Sequence, residues 1–357
     1  MKFNRPSPPL PRWLFLGMAL PLLVLNGWAL ILVLDYFQSP IRIFIIANLL
    51  AFILGYPVSW LQRYPRIQRL QAVIIVLSIA VLLISLLALL LIPVLAEQIN
   101  QLLQILPRWG ESGSQQLQVL QNWSIEWKLP TNFSQLANKL SDKLPEQLQS
   151  LMLQLINFML GTAGGLFETG LTLIIMVYLL LKGDSFWHGI FQWFPPSWRS
   201  PIRQGLRRSF QNYYIGQLTV ATWLGVSLIL AFLVFQIPFG LLFGVIIGVM
   251  ALFPFGGGLS IVIISLIASL NSFWLGFKVL AIATLVDQLI ENAIAPRLLG
   301  KFTGVHPVWV LLSLIIGVKI AGFLGILIAV PCTGFIKEMI DYYQTQKAKT
   351  YAEYSKI

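Results

Sequence analysis

Four residues near the C-terminal end carry the side chains best suited to chemistry: Asp287, Gln288, Glu291 and Asn292. Asp287 and Glu291 are four positions apart, so on a helix they share a face about 40° wide. Gln288 and Asn292 repeat that spacing on the adjacent face. A carboxylate at mid-membrane depth costs ~2.5–3.5 kcal/mol on insertion scales, so it usually faces a cavity and serves a purpose. Two close carboxylates can bind a cation, or share one proton because both do not easily ionise together. The plain alternative is a helix end near the membrane surface, with Glu291 solvated or paired to Arg297 or Lys319. Pro296 follows five positions after Glu291, which keeps that alternative open.

The second chemical signal is backbone rather than side chain. The apolar run Leu241–Leu270 is cut by Pro254-Phe-Gly-Gly-Gly258, with Gly256, Gly257 and Gly258 in succession. The run Val308–Ile336 is cut around Gly317, Gly322 and Gly325, ahead of Pro331. Gly/Pro-interrupted helices in corresponding positions are the best sequence pointer to a transporter's binding site. Unwound backbone frees amides and carbonyls that can hold an ion or a polar solute, provided protein or a water-filled cavity covers them. Each half of a broken run has about 12–14 residues, or about 20 Å of helix, short of a ~30 Å hydrocarbon core. Each run is therefore either one long kinked crossing or a re-entrant helical hairpin.

The elements that must position these residues follow from composition. The chain has 357 residues, 57% hydrophobic and 10% charged. Soluble domains are about 25% charged, so an ordinary soluble enzyme, a disordered tail and a fibrous repeat are excluded. Apolar runs of about 20 residues mean spanning helices; a barrel would show short alternating strands. The net charge of +11 comes from bases that flank apolar runs, the pattern of loops facing the cytoplasm. Nucleic acid is not the expected partner. One cysteine, Cys332, allows no intrachain disulfide, and two histidines leave little for a metal site. No cofactor is expected. The sequence holds no HExxH, GxSxG or phosphate-loop pattern, so no enzyme activity is expected.

Along the chain, residues 1–95 read as three transmembrane helices: Leu14–Leu34, Ile43–Leu61 and Val73–Leu95. Residues 96–150 read as an extracytoplasmic amphipathic insert, with Leu136, Leu140, Leu144 and Leu148 on one stripe and breaks at Pro107, Pro130 and Pro145. Residues 151–216 read as a fourth transmembrane helix, Leu151–Leu181, and a basic cytoplasmic loop, Lys182–Asn212. Gly161 and Gly165 would give that helix a small-residue packing face. Residues 217–341 form a C-terminal transport unit: a helix over Leu218–Phe235, then the broken segments 241–270 and 308–336 around the acidic helix. Residues 342–357 are a cytoplasmic tail. Gly240, Gly244 and Gly248 mark close helix packing. His188 reads as interfacial, and His306 before Pro307 as a helix-start residue or a pH-sensitive gate. With the N-terminus inside and both broken runs as hairpins, 17 of the 24 bases lie inside; with single crossings, 15 do. The charge count leans to hairpins.

Four stretches together resemble the autoinducer-2 exporter (AI-2E) family of PerM-like permeases. They are Tyr214-Ile-Gly-Gln217, the Pro254–Gly258 break, DQLIENAIAPRLLGKFTGVHP (Asp287–Pro307) and GVKIAGFLGILIAVP (Gly317–Pro331), and LLLKGD at Leu179–Asp184 also fits. The break here has Phe255 where the family pattern has a tyrosine. The resemblance implies a multi-pass bacterial inner-membrane transporter, a homo-oligomer (a pentamer among the options) with an elevator-like movement. It carries Glu291, Asn292, Pro296, Arg297, Gly300, His306 and Pro307 over as motif positions.

The expected fold is an all-α polytopic membrane protein of about 6–8 transmembrane helices, two broken or re-entrant segments and one extracytoplasmic helical insert. The expected function is export of a small polar solute such as autoinducer-2. The alternatives are sodium (or lithium)/proton antiport through Asp287 and Glu291, and a non-transporting scaffold for envelope assembly. The expected partners are the solute or a cation and proton, and the lipid bilayer. Both termini are expected in the cytoplasm.

Overall fold

The computed structural model describes residues 35–126, 150, 165–293 and 306–354, with scattered positions between 21 and 32. Among the described residues all regular structure is helical. In chain order the helices are α1 (Gln38–Leu61), α2 (Arg69–Glu126), α3 (Leu166–Phe191), α4 (Pro196–Val234), α5 (Gly240–Met250), α6 (Gly256–Asn271), α7 (Phe273–Ala293) and α8 (Pro307–Tyr354). Five of them, α1 to α4 and α7, contain stretches long and apolar enough to cross a membrane. Along α2, Leu82 is 71% and Leu89 75% exposed. Large apolar side chains pointing outward over many turns need lipid rather than water around them. The chain is an all-α, multi-pass membrane protein.

Three sequence expectations change in extent. α2 does not stop at Leu95. It continues through Pro93 and Pro107 to Glu126 as one 58-residue helix, about 87 Å long. An interior proline costs ~3 kcal/mol. Leu102, Leu106 and Trp109, on either side of Pro107, are buried in the main core, and each such side chain gains roughly 1.5–3 kcal/mol. Packing outweighs the break. The basic loop 182–212 is also helical: α3 runs on to Phe191, and α4 begins at Pro196. Only 192–195 connect them, so the helix expected to begin at Leu218 starts 22 residues earlier. Pro196 opens α4, where a proline's missing N–H costs little, and Pro201 lies inside the helix one turn later. Third, Gly165 is the N-cap of α3 and not a residue within a helix, and a Cβ on it would meet nothing within 4 Å among the described residues, outside which Gly161 lies. So do most of Leu14–Leu34 and the leucine stripe 136–148.

Two cores hold the helices together. One joins α1, the start of α2 and α3 through residues such as Ala47, Val73 and Leu180. The other joins the middle of α2 to α4, α5, α6 and α7, through residues such as Leu102, Leu228, Phe243, Ile264 and Val279. α2 also braces this second core with two glutamines. Gln98 Oε1 accepts the Leu242 N–H at the start of α5 (3.0 Å). Gln116 Nε2 donates to the Leu270 and Asn271 carbonyls (3.2 and 3.3 Å), and its Oε1 accepts the Phe273 N–H (2.9 Å).

Candidate transport site

The first broken segment starts from a close helix pair. A Cβ added to Gly248 of α5 would sit 2.7 Å from the Gly225 Cα of α4, and one on Gly244 would sit 2.8 Å from the Ile229 nitrogen. The glycines let two backbones touch, as the sequence spacing implied. After Met250 the chain unwinds through 251–255. Phe255 is held left-handed (φ 62°), a conformation that costs a non-glycine residue ~1–2 kcal/mol. At Gly256 a side chain would run into the Met250 carbonyl oxygen, so only glycine fits. Gly257 packs against Ala251 and Leu224, whereas Gly258 faces open space. The freed carbonyl of Ala251 is taken by Gln217 Nε2 of α4, at 2.5 Å.

The two ends of this segment are read by Gln98 and Gln116, 18 residues apart on α2 and so about 27 Å apart along its axis. A straight helix from Leu242 to Leu270 would cover about 42 Å, and a tight hairpin would bring the ends within about 10 Å. The break is an elbow between those limits. α6 then reverses into α7 at Ser272.

The second broken segment is a true hairpin. Ala321 (φ −134°, ψ 19°) and Gly322 (φ 55°, ψ −132°) leave helical geometry, and the latter pair is open to glycine alone. Gly317 and Gly325 would be about 12 Å apart along a continuous helix. Here they lie back to back: a Cβ on Gly317 would be 2.5 Å from the Gly325 oxygen, and one on Gly325 would fall on the Gly317 carbonyl. The arms 307–320 and 323–354 therefore double back on each other. In the second arm, Pro331 has no N–H to give the carbonyl four residues earlier. That carbonyl, Leu327, accepts the Tyr214 hydroxyl of α4 at 2.9 Å.

α4 is thus the common partner of both breaks. Tyr214 serves the carbonyl that Pro331 leaves open in the second segment and Gln217 the one freed at the first break, three positions apart on one helix. Further along, Arg208 Nη1 and Ser209 Oγ both donate to Glu338 of the second arm (3.1 and 3.2 Å).

The acidic helix α7 packs on α4 and α6. Gly276, Val279, Ala283 and Ile290 are its buried stripe. Asp287, one turn after Ala283, is half-buried on the edge of that stripe, while Gln288, Glu291 and Asn292 are exposed. Asn292 Nδ2 donates to the Gln288 carbonyl and to its Oε1 (2.8 and 3.2 Å). Neither Asp287 nor Glu291 belongs to any of the four ion pairs among the described residues, so Lys319 does not neutralise Glu291. Pro296, Arg297 and Gly300 lie outside the described residues. His306 is the helix-start residue: its Nδ1 accepts the Val308 N–H (3.4 Å) and its carbonyl the Trp309 N–H (2.9 Å), with Pro307 opening α8.

The roles of Gln98, Gln116, Tyr214 and Gln217 were not assigned from the sequence. A polar residue with carboxamide or phenol chemistry inside an apolar run is the signal that could have found Tyr214 and Gln217. Which carbonyl each one serves depends on helices far away in sequence.

The sequence has counterparts among known proteins. The family model described as the AI-2E family transporter matches residues 18–345. A protein of Synechocystis sp. named as a transport protein is 58% identical over 330 residues, covering 92% of this chain and 96% of its own length. The Escherichia coli protein named as the permease PerM is 24% identical over 353 residues, covering 91% and 92%. The Escherichia coli AI-2 transport protein TqsA is 25% identical over 339 residues, covering 91% and 95%. The match runs through both breaks, the acidic helix and the α4 residues that hold them, and the chain belongs to the AI-2E transporter family.

Proposed function

We propose that this chain is a secondary transporter of the bacterial inner membrane, working as a homo-oligomer with both termini in the cytoplasm. It moves a small polar solute, of the kind named for the AI-2 transport relative, by an elevator-like displacement of the broken segments against the rest of the bundle. The observation that supports this reading is the pair of hydrogen bonds from α4, one to the carbonyl freed at the first break and one to the carbonyl that Pro331 leaves open five residues beyond the second. Backbone unwound inside a membrane protein must be satisfied by protein or by water in a cavity. Here each of those two carbonyls takes one side-chain donor, which water or a solute hydroxyl could replace. An exchangeable side-chain bond can be remade as a segment shifts, whereas a full backbone ladder cannot.

Purified protein in liposomes loaded with autoinducer-2 tests this. Efflux should exceed that from protein-free liposomes, and Gln217→Ala should slow it while leaving the protein folded. Efflux at the protein-free rate for autoinducer-2 and for other small polar solutes would sink the proposal.

Cation/proton antiport is the second reading. Its support is Asp287, half-buried with a second carboxylate one turn away and no ion pair among the described residues. A pH gradient that sodium or lithium dissipates, and that Glu291→Gln preserves, would favour it.

A further inference from the structure

A second site is lined by residues other than those that hold the broken segments. A cleft of about 200 Å³ opens between α1, α3 and α4, where α1 ends, α2 begins and the short 192–195 turn joins α3 to α4. Its lining includes Arg69, Arg203 and Arg207, one acid, Asp184, and the amides of Asn48 and Gln62. Asp184 is shared by two arginines: Arg69 Nη1 to Oδ2 at 3.0 Å and Arg203 Nη2 to Oδ1 at 3.2 Å. Arg69 is fixed further by its Nε, which donates to the Leu180 carbonyl (2.9 Å) beside the non-helical Lys182. Arg207 has neither a hydrogen bond nor an ion pair among the described residues. One carboxylate among three guanidinium groups leaves two positive charges in a recess.

Arginine is never neutral at working pH, so that excess persists. An anion can. Guanidinium groups bind planar or tetrahedral oxyanions through paired N–H donors, more strongly where water is partly excluded. Depth matters as well. Trp187 lines the cleft and stacks on Phe191 (5.8 Å), and Trp60, Tyr64 and Trp193 are exposed nearby in sequence at the same helix ends. Aromatic residues of this kind gather at headgroup level. We infer that this cleft binds a phosphate-type oxyanion, carried by an anionic phospholipid headgroup or by a free phosphorylated solute.

The test uses full-length protein in a zwitterionic detergent. Binding of phosphatidylglycerol, phosphatidylcholine and inorganic phosphate is measured by native mass spectrometry. Phosphatidylglycerol should bind at least about tenfold more tightly than phosphatidylcholine, an advantage of the size expected for two basic groups near a membrane surface. Arg203→Gln with Arg207→Gln should remove that advantage. Arg207→Gln alone breaks no hydrogen bond or ion pair among the described residues and should weaken it while leaving the fold intact. Arg63→Gln with Arg66→Gln, two exposed bases at the same helix ends but outside the cleft, should leave it unchanged. If inorganic phosphate binds, with the same loss in Arg207→Gln, and phosphatidylglycerol has no advantage, the oxyanion comes from a free solute. The inference is overturned if neither phosphatidylglycerol nor phosphate outbinds phosphatidylcholine. It is overturned equally if the Arg63/Arg66 pair matters as much as the Arg203/Arg207 pair.

Discussion

Removing the hydroxyl of Tyr214 should destabilise the protein, and the cost should vanish when Pro331 is also replaced. The carbonyl of Leu327 has no helical donor because Pro331 carries no N–H, and Tyr214 supplies one at 2.9 Å. Tyr214→Phe keeps the ring and its packing on Phe210 and Tyr213, with centroids 6.1 and 5.3 Å away, so only the hydrogen bond changes. Hydrogen bonds between membrane helices average ~0.6 kcal/mol, with a maximum near 1.7. An acceptor left buried and unpaired costs ~1–3 kcal/mol. Tyr214 is buried and Pro331 fully so, so the upper half applies, and about 1–2 kcal/mol is expected. In the Pro331→Ala background a backbone N–H reaches Leu327, and Tyr214→Phe should cost under about 0.5 kcal/mol. The coupling is then about 1 kcal/mol, well within what a double-mutant cycle resolves. The four proteins are compared by equilibrium unfolding in bicelles with a denaturing detergent. Equal costs in both backgrounds, or no cost in the native one, would refute the reasoning.

Other changes test other joints. Gly325→Ala places a methyl on the Gly317 carbonyl, so the arms of the α8 hairpin must part; a loss at or above the usual ~3 kcal/mol limit of overpacking is expected, read as a fall in the unfolding midpoint. Gln116→Ala removes three backbone partners at the α6–α7 reversal. It should cost ~1–3 kcal/mol, with hydrogen exchange rising at residues 270–273; unchanged exchange there would show that α2 does not brace the turn. Asp287→Asn combined with Glu291→Gln should abolish any pH-driven cation flux in liposomes and spare export of a neutral solute. Full cation flux in that double variant would rule out the carboxylate route.

Much of this was readable before any coordinates. Long apolar runs in a chain only 10% charged require spanning helices. The Gly240–Gly244–Gly248 spacing requires a partner helix at close range, and the structure supplies α4 there. Both breaks fall where Pro254–Gly258 and Gly317–Gly325 place them. The charge count leaned to hairpins for both. The structure makes the second a hairpin and the first an elbow, a difference that local composition does not encode. It depends on whether the two arms find each other, as Gly317 and Gly325 do, or find α2. Helix lengths were the weaker reading. Pro107 marks a break by its chemistry, and nothing within a few residues of it shows that Leu102, Leu106 and Trp109 are buried in the core where α2 meets α5 and α6.

By itself the sequence determined the solvent, the class of fold and the places where helices must open. These are local matters: transfer energy, small-residue spacing, and the conformations open to glycine and closed to proline. Only the tertiary structure decided what closes each opening. Tyr214 and Gln217 sit more than 30 positions from the carbonyls they serve, and Asp184 gathers arginines from α2 and α4. A hydrogen bond or an ion pair acts over about 3–4 Å, so its partner is set by where helices pack and not by where residues stand in the chain.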